Sequence, residues 1–122
     1  MIRTLAVATE GPERRVPDAM REHPANVSGT RRDERTLLAA LPGAIGKAGA
    51  EGCYVVALPD GRAFSLKVDD GAGRARPVLM AEALRRSGVT ELGGVDAAAV
   101  RRTGEHVVLG GGEPVGAIRA AF

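Results

Sequence analysis

Cysteine, aromatic residues and lysine are scarce in this 122-residue chain, and each scarcity narrows the chemistry it can carry. The single cysteine, Cys53, excludes an internal disulfide and any metal site built on two cysteines of the chain. With one tyrosine, two phenylalanines and no tryptophan, the core must be built mainly from aliphatic side chains. No apolar run approaches the roughly 20 residues that a membrane-spanning helix needs. We therefore expect a soluble, cytoplasmic protein with no membrane partner, no cofactor and no metal.

A strong charge of either sign is also missing. Seventeen lysines and arginines are nearly matched by fifteen acids, which leaves a net charge of +2. Proteins that bind nucleic acid usually carry a basic stripe, so binding to DNA or RNA is the least expected function. Only two of the seventeen basic residues are lysines, Lys47 and Lys67. Taken alone, this bias could be chance.

Several segments carry helix signals. Residues 31–43 combine acids near the start with leucines on one face and a Pro-Gly end, and residues 76–88 end on two arginines and a glycine. Residues 96–102 form a shorter alanine-rich candidate. In residues 12–24 a proline interrupts the pattern, so we expect that helix to begin near Val16 or Pro17 rather than to run unbroken.

The segments on either side of that helix are less regular. Residues 25–30, Ala-Asn-Val-Ser-Gly-Thr, are predicted to form a loop. Residues 2–8 are weakly amphipathic and fit either a strand or a helix end.

Two β-hairpins are predicted in the rest of the chain. Pro59-Asp60-Gly61 is a turn signature, because proline fixes φ and glycine accepts a positive φ. It joins the run of residues 44–58, which has β-branched and aromatic residues in its second half, to the alternating run of residues 62–70. Residues 107–109 and 115–118 flank a glycine-rich turn. Helices, hairpin, helix and hairpin in this order predict an α+β fold, with an antiparallel sheet packed against helices. Residues 1–122 form a single domain or part of one.

The strongest short signal for chemistry is Lys47-Ala48-Gly49, which follows a Pro-Gly turn and opens the first strand-like run. Three residues alone recur by chance. Penicillin-binding proteins and serine β-lactamases, however, place a Lys-Thr-Gly triad on such a strand beside the catalytic serine. Lysine suits that position because it is a compact charge whose protonation responds to burial, whereas arginine stays protonated.

Six longer segments extend the triad into a family pattern. They are Met-Arg-Glu-His-Pro at 20–24, Val-Ser-Gly-Thr at 27–30, Ala-Leu-Pro-Gly at 40–43, KAGAEGCY at 47–54, LKVDDGAGRA at 66–75 and GGEPVGAIR at 111–119. In this order and spacing the chain resembles the asparaginase II family, bacterial amidohydrolases on a serine β-lactamase-like scaffold. The resemblance implies the C-terminal part of such a domain and hydrolysis of L-asparagine to L-aspartate and ammonia.

The resemblance also implies roles for four residues. Lys47 is the counterpart of the active-site lysine, and the backbone N–H of Ala50 is an oxyanion-hole donor. Gly49 lets substrate approach the strand, and Glu51 binds the α-ammonium group of the substrate. Lys67, Asp69 and Asp70 match a further family motif.

The motif assigns no catalytic role to those three residues, and their roles stay open at this point. For Lys67 we favour a Lys–Asp pair that braces the strand against the following helix. Adjacent side chains on a strand point to opposite faces, so Asp69 and Asp70 do not suit a shared metal.

The chain departs from the family at the nucleophile. An S-x-x-K box supplies a serine and its base in such enzymes, and no serine here precedes a lysine by three residues. Ser28 and Ser87 lack a lysine partner, and Ser65 precedes Lys67 by two. We therefore expect the chain to begin midway through the family's domain. It would be inactive alone, or half of a split enzyme completed by a complementary chain or a second copy, with L-asparagine as the ligand.

Two alternatives stay open at this point. The chain could be a non-catalytic domain that binds a small molecule or dimerises, or, least expected, a nucleic-acid binder. His23 and His106 fit a helix end and an exposed strand position better than catalytic bases, and Cys53 fits a buried small residue.

Overall fold

The structure, a computed structural model that describes residues 1–122, contains six α-helices and two antiparallel sheets. The helices are α1 (Ile2–Val7), α2 (Gly11–Glu22), α3 (Pro24–Ser28), α4 (Asp33–Ala39), α5 (Arg76–Arg86) and α6 (Ala97–Thr103), and the strands are β1 (Ile45–Ala48), β2 (Cys53–Ala57), β3 (Ala63–Lys67), β4 (His106–Gly110) and β5 (Glu113–Ile118). The predicted α+β class is confirmed. None of these helices has the length and apolar character that a membrane span requires.

The first sheet has the order β1-β2-β3, so β1 and β3 are its edges. The hairpin predicted around Pro59-Asp60-Gly61 joins β2 to β3, and Gly61 there has φ of 87°. The pattern of residues 44–58 predicted a single strand ahead of this turn. Instead, the chain turns back between Ala48 and Cys53, because Glu51 and Gly52 both adopt positive φ.

Each face of this sheet meets different helices. The main core packs Ala48, Tyr54 and Val56 against α4, α5 and α6. On the opposite face Ile45 and Ala57 pack against α1 and against Met20 of α2, at one end of the sheet. The aliphatic core that the composition requires is present, and the one fully buried aromatic side chain in it is Tyr54. The far end of the second face is left uncovered by α1.

Two local predictions were wrong. Helix α2 runs from Gly11 to Glu22 through Pro17, which is buried, and the Arg14–Asp18 ion pair spans the proline. Residues 25–30 are partly helical, because Pro24 starts a short helix that Gly29 ends with φ of 69°. Residues 2–8, left open between strand and helix end, are helical.

The second hairpin, β4 to β5, forms as predicted around its glycine turn. It is a two-stranded sheet of its own, and most of its residues are exposed. Its large apolar side chains Val107, Val108, Leu109 and Val115 all face solvent to a large degree.

Candidate active site

Strand β1 determines the direction in which Lys47 points. Lys47 lies opposite Val55, which in turn lies opposite Ser65 on β3. Residues in register across a sheet share a face, so these three side chains project from the face opposite the main core. The side chain of Lys47 is 46% exposed. The lysine therefore stands on an edge strand, at the end of the sheet face that α1 does not cover.

A buried acid from α4 holds this lysine. The Lys47 Nζ atom donates to Glu34 Oε1 at 3.3 Å and to the Ala48 carbonyl at 2.6 Å. The other carboxylate oxygen, Oε2, accepts the Ala48 N–H at 2.9 Å. Glu34 is fully buried, with 0% of its side chain exposed. One carboxylate thus binds both the ammonium group and the backbone of the Lys-Ala-Gly strand.

A second set of polar side chains, Asp33, Tyr54 and Arg76, lies next to Glu34 on the core side of the sheet. Arg76, at the start of α5, donates to Asp33 Oδ1 at 2.8 Å, and its guanidinium lies 5.4 Å from the centre of the Tyr54 ring. The Tyr54 hydroxyl, Asp33 Oδ2 and Arg76 Nε are buried and have no hydrogen-bond partner in the protein. Burial raises the pKa of Tyr54 well above its usual value, and the negative charges of Asp33 and Glu34 add to the effect. Tyr54 therefore keeps a neutral hydroxyl, on the core face of the sheet opposite to the face of Lys47.

The predicted substrate-binding residues form the turn between β1 and β2. The Cys53 N–H donates to the Ala50 carbonyl at 3.3 Å, and Glu51 and Gly52 have φ of 55° and 71°, which makes a type I′ turn. Ala50 is exposed, and its N–H makes no hydrogen bond within the protein. Gly49 leads into the turn. Lys47, Gly49, Ala50 and Glu51 thus lie together at one end of the sheet, and their roles stay predictions.

Lys67 has a different partner from the one expected. Its Nζ atom donates to the Glu51 carbonyl and lies 3.8 Å from Glu51 Oε2. The predicted Lys–Asp pair is wrong, because Lys67 lies opposite Cys53 and so beside the β1–β2 turn. Asp70 accepts instead from the Ala72 N–H and from Arg74, and these bonds lower the pKa of Asp70. Lys67 therefore supports the turn that carries Glu51.

Sequence reasoning missed the acids. Asp33 and Glu34 were read as acids that favour the first turn of a helix, which they also are. The available signal was their position on the helix directly before the Lys-Ala-Gly strand. Nothing in the pattern indicated that Glu34 points inward, since an acid at a helix start is usually exposed.

The remaining residues that the sequence analysis considered for catalysis or metal binding do not join the site around Lys47. His23 caps the C-terminal end of α2, as expected, and His106 starts β4 as a strand residue but is half-buried rather than exposed. Cys53 is half-buried rather than fully buried. No three His, Cys, Asp or Glu side chains are grouped in a way that could hold a metal ion. The Ser28 hydroxyl is buried without a partner, at the end of α3.

The main cavities do not include Lys47. The principal one, about 630 Å³, lies between α5, α6 and the end of β5, and two others lie beside β1 near Met20 and beside β3 near Phe64. As the counterpart of an active-site lysine, Lys47 is expected to project into a cleft that fits a small amide. It lines none of these three cavities, so that cleft stays a prediction.

Comparison with known proteins supports the motif pattern. The model of one protein family, described as L-asparaginase II, matches residues 1–120. No curated protein matches the chain. Because the family match covers essentially the whole chain, including the strand of Lys47 and the turn of Glu51, this chain belongs to the L-asparaginase II family.

Proposed function

We propose that this chain supplies the lysine-bearing half of an amidohydrolase site that hydrolyses L-asparagine to L-aspartate and ammonia. The observation that carries the proposal is the Lys47 ammonium group, which is half-exposed on an edge strand and bound by the buried carboxylate of Glu34. Membership of the L-asparaginase II family supplies the reaction class.

The chemistry follows from the groups at this end of the sheet. A serine hydroxyl attacks the side-chain amide carbon of asparagine, and the carbonyl oxygen becomes an oxyanion. The free N–H of Ala50 suits that oxyanion as a donor, and the Lys47 ammonium stabilises developing negative charge nearby. The serine proton leaves with the amide nitrogen as ammonia, and water then releases aspartate from the acyl-enzyme. The Glu51 carboxylate, which is 82% exposed and lies 3.8 Å from Lys67 Nζ, is accessible to the α-ammonium group of the substrate.

The proposed nucleophile comes from outside these residues. Ser65 shares the face of Lys47, but two strand spacings of about 4.8 Å separate their backbones. Direct proton transfer needs heavy atoms about 3 Å apart, and the Lys47 ammonium is already bound at the opposite edge, to Glu34. Ser28 is buried. We therefore propose that a complementary segment with an S-x-x-K box packs on the open face of the sheet.

An ammonia-release assay with L-asparagine tests the proposal. The purified chain alone is expected to show no turnover above background. Adding the S-x-x-K-bearing portion of a full-length family member is expected to produce turnover that Lys47→Ala abolishes. Turnover by the chain alone, or turnover of the mixture that does not depend on Lys47, would contradict it.

A second candidate function is association between two copies of this chain without catalysis. The β4–β5 hairpin favours it, because its branched apolar side chains are exposed and both of its outer edges are unpaired. Sedimentation that gives twice the chain mass, lost in Leu109→Asp, together with no turnover after complementation, would favour this candidate over the first. A monomer that does not bind a hydrophobic dye would count against it.

A further inference from the structure

We infer that Glu34 is the positioning residue of Lys47: it fixes the ammonium group and the strand beneath it in one geometry relative to α4. The inference rests on the proposed function for its catalytic meaning. The structural part of the inference is that one carboxylate determines where the lysine nitrogen lies. It depends only on the contacts that Glu34 makes with Lys47 and Ala48.

The first step is the direction of the backbone. The Gly49 N–H donates to the Cys53 carbonyl at 2.9 Å, so Gly49 and Cys53 form a hydrogen-bonded pair of the ladder. Such pairs alternate along an antiparallel ladder, and the neighbouring Ala48 therefore directs its N–H away from β2. Glu34 accepts that N–H at 2.9 Å. The Glu34 carboxylate thus accepts the backbone N–H of Ala48, a donor on the outer edge of β1 that no neighbouring strand can pair with.

The second step concerns the ammonium group. A lysine ammonium has three N–H donors. One reaches Glu34 Oε1 and one reaches the Ala48 carbonyl, which leaves one without a protein partner. Two fixed bonds remove the rotational freedom that a lysine side chain ordinarily keeps. The third donor is then presented to the open side of the site in a restricted direction, as a proton donor for a substrate or nucleophile oxygen.

The other lysine makes a useful contrast. Lys67 is bound mainly through the backbone carbonyl of Glu51, and the Glu51 carboxylate is 3.8 Å away and largely exposed. Both lysines are half-exposed, at 46% and 51%. Only Lys47 is paired with a fully buried acid. Lys47 and Lys67 differ in the group that binds each ammonium but not in their exposure. Lys67 therefore serves as the control when the effect of a variant on Lys47 is measured.

Since the chain has two lysines, selective ¹³C labelling of lysine gives only two sets of Cε signals, which Lys47→Arg and Lys67→Arg assign. Glu34→Gln is expected to shift the Lys47 signals and leave those of Lys67 in place. Glu51→Gln is the control and is expected to affect only Lys67. A folded Glu34→Gln protein with unchanged Lys47 signals would overturn the inference.

A wild-type measurement covers the case in which Glu34→Gln does not fold. The Ala48 amide, which points away from β2, is expected to exchange slowly with solvent because Glu34 accepts it. Exchange as fast as that of the exposed Ala50 amide, which has no partner, would overturn the inference with no variant needed.

Kinetic measurements on the enzyme completed with an S-x-x-K-bearing segment test the positioning role of Glu34 separately from the proposed function. There Glu34→Gln is expected to lower kcat by about tenfold to a hundredfold with little change in KM, because the lysine is displaced while the substrate contacts remain. A completed wild-type enzyme without asparaginase activity would refute the proposed function and leave the lysine spectra as the test of positioning. An active enzyme whose kcat is unaffected by Glu34→Gln would refute the positioning role alone.

Discussion

Glu34 Oε1 lies 3.3 Å from the Nζ atom of Lys47, and the two residues are thirteen positions apart in the chain. The acid comes from the first turn of α4 and the lysine from the edge strand that follows. The helix and the strand are therefore joined at the site by a charged contact as well as by the apolar core. The stability of this end of the sheet and the geometry of the candidate site depend on the same side chain.

Removing that carboxylate is expected to destabilise the protein. Glu34→Ala leaves the buried Ala48 N–H without an acceptor and Lys47 without its partner, at a cost of about 2 kcal/mol in the free energy of unfolding. Glu34→Gln is expected to cost less, because its amide oxygen still accepts the N–H. Urea denaturation measures both. Glu51→Ala, at an exposed acid, is the control, and an equal loss in that variant would argue against a special role for Glu34.

The β1–β2 turn is expected to hold strain that a substitution can relieve. Glu51 has φ of 55°, a region that residues with a Cβ seldom adopt, and Asn-Gly is the pair that type I′ turns prefer. Glu51→Asn should raise the free energy of unfolding by up to about 1 kcal/mol. In the completed enzyme the same variant should weaken substrate binding, since the carboxylate is lost. A stability equal to or below that of the wild type would show that the turn is not strained.

Tyr54 is the one tyrosine, so the ultraviolet absorbance of tyrosinate reports it alone. Burial, with Asp33 and Glu34 nearby, raises the pKa of Tyr54 in the folded protein. In the unfolded chain the phenol ionises near pH 10. The unfolded state alone therefore loses this proton as pH rises above about 10, and folding stability should fall there, not at lower pH.

An absorbance titration checks this expectation. The folded protein should show no tyrosinate at a pH where the urea-unfolded chain is half ionised, and tyrosinate should appear together with loss of the fold. Ionisation near pH 10 with the fold intact would place the Tyr54 hydroxyl in contact with solvent.

Local signals were enough to predict much of the fold. Pro59-Asp60-Gly61 specifies its turn through the φ preferences of its own residues, and the hairpin is where it was expected. Pro17 shows the limit of such reasoning. A proline penalty is local, but the burial of Pro17 depends on the surrounding structure, and α2 continues through it.

The candidate site was predicted only in part, for a similar reason. Lys47 and the turn of Gly49 to Glu51 follow one another along the chain, so their motif was readable. The partners of Lys47 and Lys67 depend on which elements pack side by side. Helix α4 brings Glu34 under β1, and the register of β3 brings Lys67 beside Glu51 rather than beside an aspartate.

The most direct test compares the two lysines in the completed enzyme, formed by this chain with an S-x-x-K-bearing segment. Lys47→Ala is expected to lower the rate of ammonia release from L-asparagine by roughly a hundredfold or more, because the charge beside the developing oxyanion is lost. Lys67→Ala, which removes a half-exposed lysine from the same sheet face, is expected to weaken substrate binding through the Glu51 turn but to lower the rate far less than Lys47→Ala does. Equal rates for wild type and Lys47→Ala would contradict the account.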